Sequence, residues 1–305
     1  MNARHNCLFG KLWKAIKMIQ IAQRQFITHD GLTLMGDVAG PQDGAAVVLL
    51  HGGGQTRHSW NKAVQRLAER GYFVVNYDAR GHGDSDWSPT GDYSLRALAA
   101  DLGSVRSTIR GAAALVGASM GGITSFYAVG SGEKPVADAL VMVDIVLRPA
   151  TAGAEKIRKF MASHRGGFKD LAEVADAVTA YNPDRPQPRD STGLLKNLRL
   201  RDDGRLYWHW DPRLIDVSPS SEPPSFEDEL ERVSAAVTLP TLLVRGEHSD
   251  IVDDNGVEAM RRLVPQMEVY EVPGAGHMVA GDRNDAFNDG VVAFLERHLP
   301  SGNGK

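Results

Sequence analysis

The chain is poor in cysteine, because Cys7 is the single cysteine among 305 residues. One thiol cannot form a disulfide within the chain, so stability must come from a packed core. Such sparse use of cysteine is typical of a reducing compartment, and we expect a cytoplasmic protein. Long hydrophobic runs are also lacking. No apolar stretch approaches the ~20 residues that cross a bilayer, so we expect no membrane span.

An excess of one charge is missing as well. The 34 Lys and Arg residues nearly balance the 38 Asp and Glu residues, for a formal net charge of -4. Electrostatics therefore offers no reason to expect a nucleic-acid partner. The His, Cys and Asp residues lack metal-ligand spacing, and no ribose-binding acid accompanies the glycine-rich run Gly117–Gly122, so neither a metal nor a nucleotide cofactor is expected.

The first twenty residues carry an amphipathic pattern with lysines between the apolar positions. The apolar residues at helical spacing are Leu8, Phe9, Leu12, Trp13, Ile16 and Ile19. Such a segment, residues 8–19, could lie on a membrane surface. The favoured interpretation is a mobile extension, residues 1–20, or an upstream start before a natural one at Met18.

Short apolar runs alternate with helical patterns over residues 21–147 and again over 233–300. This alternation predicts an α/β fold with a mostly parallel sheet, wound by right-handed crossovers. Residues 148–232 interrupt it, because they contain helical patterns and proline-rich stretches without a good strand. We predict that they form an inserted, mostly helical cap.

The run Ala112–Val116 leads into a G-x-S-x-G motif centred on Ser119. In this motif a strand turns sharply into a helix, which strains the serine backbone and exposes its hydroxyl above the sheet. A side chain at Gly117 or Gly121 would collide across so tight a turn. The amide of Met120 would sit at the helix start, free to face an anion. The motif alone also occurs in plain turns.

A second glycine-rich loop, His51 to Gly54, follows a buried strand. Its alternative interpretation is a flexible turn, but the amide of Gly53 is well placed to be the second oxyanion donor beside Met120. The charged loop Asp78–Asp86 resembles a metal or acid–base site. We interpret it as a hydrogen-bonded loop, because glycines and aspartates form turns by themselves.

The acid and the base are expected after later strands. Ser119, Asp250 and His277 follow one another in the order of a Ser–acid–His triad on an open α/β sheet. Ser119 would attack a carbonyl, His277 would take its proton, and Asp250 would hold the imidazole tautomer. Asp144, which ends an earlier strand, is the alternative acid.

Two histidines compete with His277 for the role of base. His51 and His82 both occupy loops at the same predicted sheet edge. His277 is favoured because it follows the last strand in a glycine turn. For the substrate pocket, aromatic residues suggest a lining of Trp60, Trp208 and Trp210. The alternative is that the cluster around Trp208 packs the small core of the insert.

Five motifs together resemble the α/β-hydrolase superfamily, in its order and spacing. They are His51–Gly54, Gly81–Ser85, Gly117–Gly121, Gly246–Asp250 and Gly276–His277. The resemblance implies the α/β-hydrolase fold with an eight-stranded sheet, helices on both faces and a lid. Within it, the chain resembles a branch of esterases, cofactor-free haloperoxidases, carbon–carbon bond hydrolases and epoxide hydrolases. Ser119 argues against the members of this branch that use an aspartate nucleophile.

The expected function is a serine hydrolase that cleaves a small-molecule carboxylic ester or lactone through an acyl-enzyme. One alternative keeps the triad but uses peroxide as the acyl acceptor, as in the cofactor-free haloperoxidases, or cleaves a carbon–carbon bond. Another is a ligand receptor on the same fold that turns over little substrate.

Overall fold

The computed structural model describes most of the chain. The described residues are 19–132, 135–183, 191–216, 225–277, 279 and 284–301. The amphipathic pattern predicted over residues 8–19 lies outside them except for Ile19. None of the described helices is both long enough and apolar enough to cross a membrane.

The described strands are β1 Ile21–Ile27, β2 Thr33–Ala39, β3 Ala46–Leu50, β4 Phe73–Tyr77, β5 Ala113–Ala118, β6 Ala139–Val143, β7 Leu198–Leu200, β8 Leu206–Trp208, β9 Thr241–Gly246 and β10 Glu268–Val272. All but β7 and β8 form one sheet, in the order β1-β2-β4-β3-β5-β6-β9-β10. The β1–β2 and β2–β4 pairs are antiparallel. The other pairs are parallel, which confirms the predicted sheet.

Helices cover both faces of this sheet. The helices are α1 Asn61–Glu69, α2 Leu95–Ser107, α3 Met120–Ser131, α4 Thr151–Ala162, α5 Leu171–Tyr181, α6 Phe226–Ser234, α7 Asp254–Leu263 and α8 Asn284–His298. On one face α1 and α8 pack on alternate strand residues such as Val47 and Leu49. On the other face α2, α3, α6 and α7 pack on residues such as Val48 and Leu50. Central strands buried on both sides read as continuous apolar runs for this reason.

The strand register brings several loops to one edge. Leu50 of β3 pairs with Gly117 of β5, and Ala118 pairs with Val143 of β6. Val143 in turn pairs with Val244 of β9. The parallel strands therefore end at nearly the same level, and the residues that follow them emerge together at the carboxyl edge of the sheet.

The elements between β6 and β9 divide into two groups. Helices α4 and α5 and the hairpin β7 (Leu198–Leu200) and β8 (Leu206–Trp208) surround a small aromatic core. We call this group the insert. Helix α6 is different, because its Leu230 and Val233 pack in the main core beside α3.

Candidate active site

Ser119 stands at a strained turn between β5 and α3. Its backbone has φ 47° and ψ −114°, a region that non-glycine residues rarely adopt. A Cβ atom on Gly117 would clash with the backbone of Gly121. A Cβ atom on Gly121 would lie 2.5 Å from the carbonyl oxygen of Leu50. The expected collision across the turn is confirmed for Gly117, whereas a side chain on Gly121 would collide with the neighbouring strand β3.

This crowding predicts a stability difference between two glycines near the site. Gly121→Ala is expected to lower the free energy of unfolding by about 3 kcal/mol, because the backbone of β3 must move. Gly53→Ala is the matched control, since its new Cβ would meet nothing closer than 3.7 Å. Thermal unfolding followed by circular dichroism compares the two variants. Equal melting temperatures would contradict the predicted crowding at Gly121.

A buried carboxylate holds His277. The Nδ1 atom of His277 lies 2.7 Å from Oδ2 of Asp144, which is fully buried at the end of β6. The amide of Gly246 donates to Oδ1 of Asp144 over 2.9 Å, and the hydroxyl of Ser249 donates to its Oδ2 over 2.6 Å. With its proton on Nδ1, toward the carboxylate, the neutral imidazole keeps a lone pair on Nε2.

The prediction that Asp250 orients His277 is wrong. The Asp250 carboxylate is 44 % exposed and lies 3.1 Å from Nζ of Lys156. The side chain that reaches the buried Asp144 carboxylate from this loop is that of Ser249, the residue before Asp250. The alternative that the sequence left open, Asp144, occupies the position of the acid, with φ 48° at the residue that follows β6.

The first glycine loop lies beside the start of α3. A Cβ atom on Gly53 would be 4.0 Å from Cβ of Met120, so the two backbones approach closely. Met120 is the first residue of α3, where an amide has no carbonyl partner within the helix. Gly53 and Met120 line one cavity together with Ser119 and His277.

This cavity has a volume of about 570 Å³ and lies between the sheet edge and the insert. Trp208 and Trp210 line it, with stacked rings whose centroids are 4.9 Å apart. Side chains of α4 that the sequence did not single out, Phe160 and Met161, line it as well.

Trp60 is not part of the described lining, and its assignment to the pocket is wrong. Its side chain is buried against Phe287 of α8, with ring centroids 5.7 Å apart, on the face of the sheet that α1 and α8 cover. The residue ends a short helical turn that leads into α1, and α1 packs on that face. The position of an aromatic residue near a glycine loop does not reveal which face it enters.

A family model for the alpha/beta hydrolase fold matches residues 45–283. The chain belongs to the α/β-hydrolase family. An esterase of Mycobacterium tuberculosis is 30% identical over 257 residues, which cover 82% of each chain. An sn-1-specific diacylglycerol lipase of Mus musculus is 29% identical over 265 residues, 82% of this chain and 80% of that one.

Solved structures agree on the fold. The crystal structure of E-2-(acetamidomethylene)succinate hydrolase superposes with a TM-score of 0.78 at 23% identity. The match covers 91% of this chain and 100% of that one. At this level of identity the likeness shows a shared fold.

In this α/β-hydrolase, the two competing histidines are bound to backbone through both ring nitrogens. Nε2 of His51 accepts from the amide of Ala79, and its Nδ1 donates to the carbonyl of Gly52. Nε2 of His82 accepts from the amide of Gly54, and its Nδ1 donates to a carbonyl two residues earlier. A backbone amide can only donate, so both rings are neutral and neither offers a lone pair to Ser119.

A third histidine of this kind comes from the insert. Nδ1 of His209 accepts from the amide of Gly83 over 2.7 Å, and its Nε2 lies 3.3 Å from the carbonyl oxygen of Gly54. Burial, followed by the nearby His51 ring, lowers the pKa of His209 to about 3. Burial also lowers the pKa of His51, and that of His82 well below its usual value.

The three buried histidines predict that acid destabilises the fold. Each is neutral in the folded state, whereas the unfolded chain protonates it below about pH 6.5. The unfolded state then binds more protons, so the free energy of unfolding falls as the pH drops below this value toward the lowered folded pKa values. Each histidine contributes up to about 1.4 kcal/mol per pH unit. Urea unfolding at a series of pH values measures the slope, and a flat profile between about pH 6.5 and 4.5 would contradict the prediction.

The charged loop after β4 is a hydrogen-bonded loop, as predicted. Asp78 is fully buried and accepts from the amide of Arg57 over 2.7 Å and from that of Asp84 over 3.0 Å. Its carboxylate also pairs with the Arg57 guanidinium. The loop therefore serves to fasten the neighbouring glycine loop and its flanks.

One cluster of potential metal ligands occurs among the described residues, formed by His29, Asp30 and Asp101. The guanidinium of Arg80 lies 3.0 Å from Asp30 and 2.6 Å from Asp101 and so already supplies the positive charge. The cluster lies outside the described lining of the active-site cavity.

Proposed function

We propose that this α/β-hydrolase cleaves carboxylic esters of small molecules through an acyl-enzyme formed on Ser119. His277 acts as the general base and Asp144 as the acid that orients it. The observation that carries this proposal is the 2.7 Å bond from His277 to Asp144, at a ring that lines the same cavity as Ser119. The relatives named as an esterase and a lipase support an ester as substrate.

The reaction follows from these positions. The Ser119 hydroxyl attacks the ester carbonyl while Nε2 of His277 takes its proton. The amides of Gly53 and Met120 receive the oxyanion, each contributing about 3 kcal/mol when well aligned. As the tetrahedral intermediate collapses, the imidazolium gives its proton to the departing alcohol. Water, activated by the same imidazole, then releases the acid and restores the serine.

Asp144 keeps the imidazole in the productive tautomer. Because it is buried and accepts from Gly246, Ser249 and His277, its carboxylate has little freedom to rotate. The positive imidazolium that forms during attack is stabilised by this adjacent negative charge.

The Ser249 hydroxyl is expected to assist this carboxylate. Ser249→Ala removes one hydrogen bond to a buried charged group, which costs about 1.5–3 kcal/mol. We expect kcat to fall by roughly tenfold to a hundredfold, with KM nearly unchanged, because the substrate does not touch this residue. Steady-state kinetics with a chromogenic ester measures the split. An unchanged kcat would show that the bond to Asp144 is dispensable.

The insert is proposed to act as a cap over the site. Its Trp208 and Trp210 form part of the cavity wall opposite the sheet edge. The cap predicted over residues 148–232 would then end before α6, since that helix packs in the main core. The proposal includes a cytoplasmic location, which the sparse use of cysteine supports.

A fluorophosphonate probe tests the proposed nucleophile. Such a probe phosphonylates an activated serine oxygen and releases fluoride. We expect a single adduct, mapped by mass spectrometry to the peptide that holds Ser119, and no adduct in the Ser119→Ala protein. An adduct elsewhere, or none in an enzyme that hydrolyses esters, would overturn the assignment. Halogenation that requires acetate and peroxide would indicate peroxide as the preferred acyl acceptor, and tight ligand binding without turnover would indicate a receptor.

A further inference from the structure

We infer that this enzyme selects uncharged esters with an apolar acyl chain of medium length and rejects esters that carry a second, ionised carboxylate. The inference rests on the proposed function, because it concerns the contents of the same cavity. It adds the chemical class of the substrate.

The described walls of the cavity are mostly apolar, and their polar side chains are uncharged. Among the described residues that line it there is no Lys, Arg, Asp or Glu. The wall that the insert contributes is mainly apolar and includes Ile157, Phe160, Met161, Val178, Trp208 and Trp210. The uncharged polar residues Tyr181, Asn182 and Asn197 line it as well. Among the described lining residues His277 is the one histidine, and its Nδ1 is already hydrogen-bonded to Asp144.

Three charged residues that neighbour lining residues in the chain or in space have partners or are buried. Lys156 of α4 lies 3.1 Å from Asp250, and both side chains are about half exposed. Arg199 of the insert donates to the backbone carbonyl of Gly83. Asp144 is fully buried behind His277. Among the described residues, a substrate carboxylate would therefore meet no cationic partner in a mostly apolar space, which is unfavourable.

The volume limits the length of the substrate. At about 570 Å³ the cavity falls within the roughly 300–1,000 Å³ of small-molecule sites, a size that suits an acyl chain of medium length with a small alcohol. Each methylene that enters an apolar wall is expected to raise kcat/KM about fourfold until the cavity is full.

A matched pair of substrates tests the charge selection. The two substrates are p-nitrophenyl hexanoate and the p-nitrophenyl monoester of hexanedioic acid. They share one leaving group, and the acyl chain ends in a methyl group in the first and in a carboxylate in the second. We expect kcat/KM to be at least about a hundredfold higher for the hexanoate. Similar values for the two esters would overturn the inference and leave the proposed function standing. Absence of turnover with both, together with absence of fluorophosphonate labelling, would instead overturn the proposed function.

A gain-of-function variant adds an independent arm. Leu194 lines the cavity, whereas the next residue, Leu195, is 50 % exposed and outside the described lining. Leu194→Lys should supply the missing cation and lower the ratio of kcat/KM for the hexanoate to kcat/KM for the hexanedioate monoester at least about tenfold. Leu195→Lys is the control and should leave the ratio unchanged. An equal effect of both lysines, or of neither, would contradict the inference that the lining sets the selection.

A second observation stands apart from the cavity walls. We propose that His209 is a positioning residue, which couples the insert to the loop that carries the oxyanion donor Gly53. Gly54, the residue after Gly53, has both its backbone amide and its backbone carbonyl in contact with a histidine ring. Its amide donates to His82 over 3.1 Å, and its carbonyl oxygen lies 3.3 Å from Nε2 of His209.

The His209 ring also joins a second loop to the first. Its Nδ1 accepts from the amide of Gly83, so one buried ring from the insert bridges both loops. The titratable and charged groups around it are His51, His82, Asp78 and Arg199. Loss of the ring would free the Gly54 carbonyl and let the Gly53 amide move away from the oxyanion.

Kinetics and a transition-state analogue separate positioning from mere stability. His209→Ala should lower kcat about tenfold with little change in KM, and should weaken binding of an alkyl boronic acid in parallel. His209→Gln, whose side-chain amide N–H can donate to the Gly54 carbonyl from near the position of the imidazole Nε2, should recover part of both losses. His164→Ala, at an exposed histidine of the insert, is the control. A lower melting temperature with unchanged kcat and boronic acid affinity would reduce His209 to a structural role and overturn the proposal.

Discussion

Asp144→Asn is expected to lower kcat for ester hydrolysis by about 10⁴-fold, with the protein still folded. The amide cannot stabilise the imidazolium, and it favours the tautomer with the Nδ1 lone pair toward residue 144. The Nε2 atom then carries a proton and cannot accept one from Ser119. The measurement is single-substrate kinetics of the wild-type and variant proteins, with far-ultraviolet circular dichroism to compare their folds.

Asp250→Asn is the matched control for this prediction. Asp250 lies in the loop after β9, next to Ser249, but its carboxylate forms an exposed ion pair with Lys156. Such pairs contribute about 0–1 kcal/mol, so turnover and stability should stay close to those of the wild type. A large loss in Asp250→Asn with a small loss in Asp144→Asn would restore the assignment that the chain order favours and refute the structural one.

Ser119→Ala is expected to cause the largest loss, about 10⁶-fold in kcat. Removal of the hydroxyl eliminates the covalent route, and the residual rate comes from water attacking a substrate held by the oxyanion donors. The fold should survive, because alanine keeps the Cβ atom and the backbone at φ 47° is already fixed by its neighbours. Burst kinetics and fluorophosphonate labelling follow the loss of the acyl-enzyme.

Ser131→Ala provides the control for this variant. Ser131 ends the same helix, and its hydroxyl donates to the carbonyl of Tyr127 over 2.6 Å. We expect turnover within about twofold of the wild type, because one local hydrogen bond changes stability by about 1 kcal/mol. Retention of wild-type turnover in Ser119→Ala would remove Ser119 from the mechanism.

Much of this architecture could be predicted because it depends on local sequence. Buried parallel strands require continuous apolar runs, such as those of β3 and β5, and these runs are visible in the chain. The turn at Ser119 requires glycines at 117 and 121, because any side chain there meets backbone. Local requirements of this kind appear as short motifs whose spacing does not depend on the rest of the fold.

The faces of the tryptophans could not be predicted in the same way. Trp60 and Trp210 both lie close to turns in aromatic or glycine-rich stretches of the sequence. Trp60 packs against Phe287 on the face of the sheet that α1 and α8 cover, whereas Trp210 lines the cavity. The path of the chain into α1 or into the insert decides the difference, and neither path is written in the local pattern.

The sequence by itself determined the order of the strands along the chain, the turn at Ser119 and the presence of His277 after the last strand. Only the tertiary structure decided which acid serves that histidine. The ends of β6 and β9 lie side by side, so Asp144 and Asp250 are both near the site. The positive φ of Asp144 turns its carboxylate inward to His277, while the loop after β9 directs Ser249 inward and Asp250 toward Lys156. The direction of a side chain at a strand end depends on backbone angles and neighbouring loops, which the order of residues does not express.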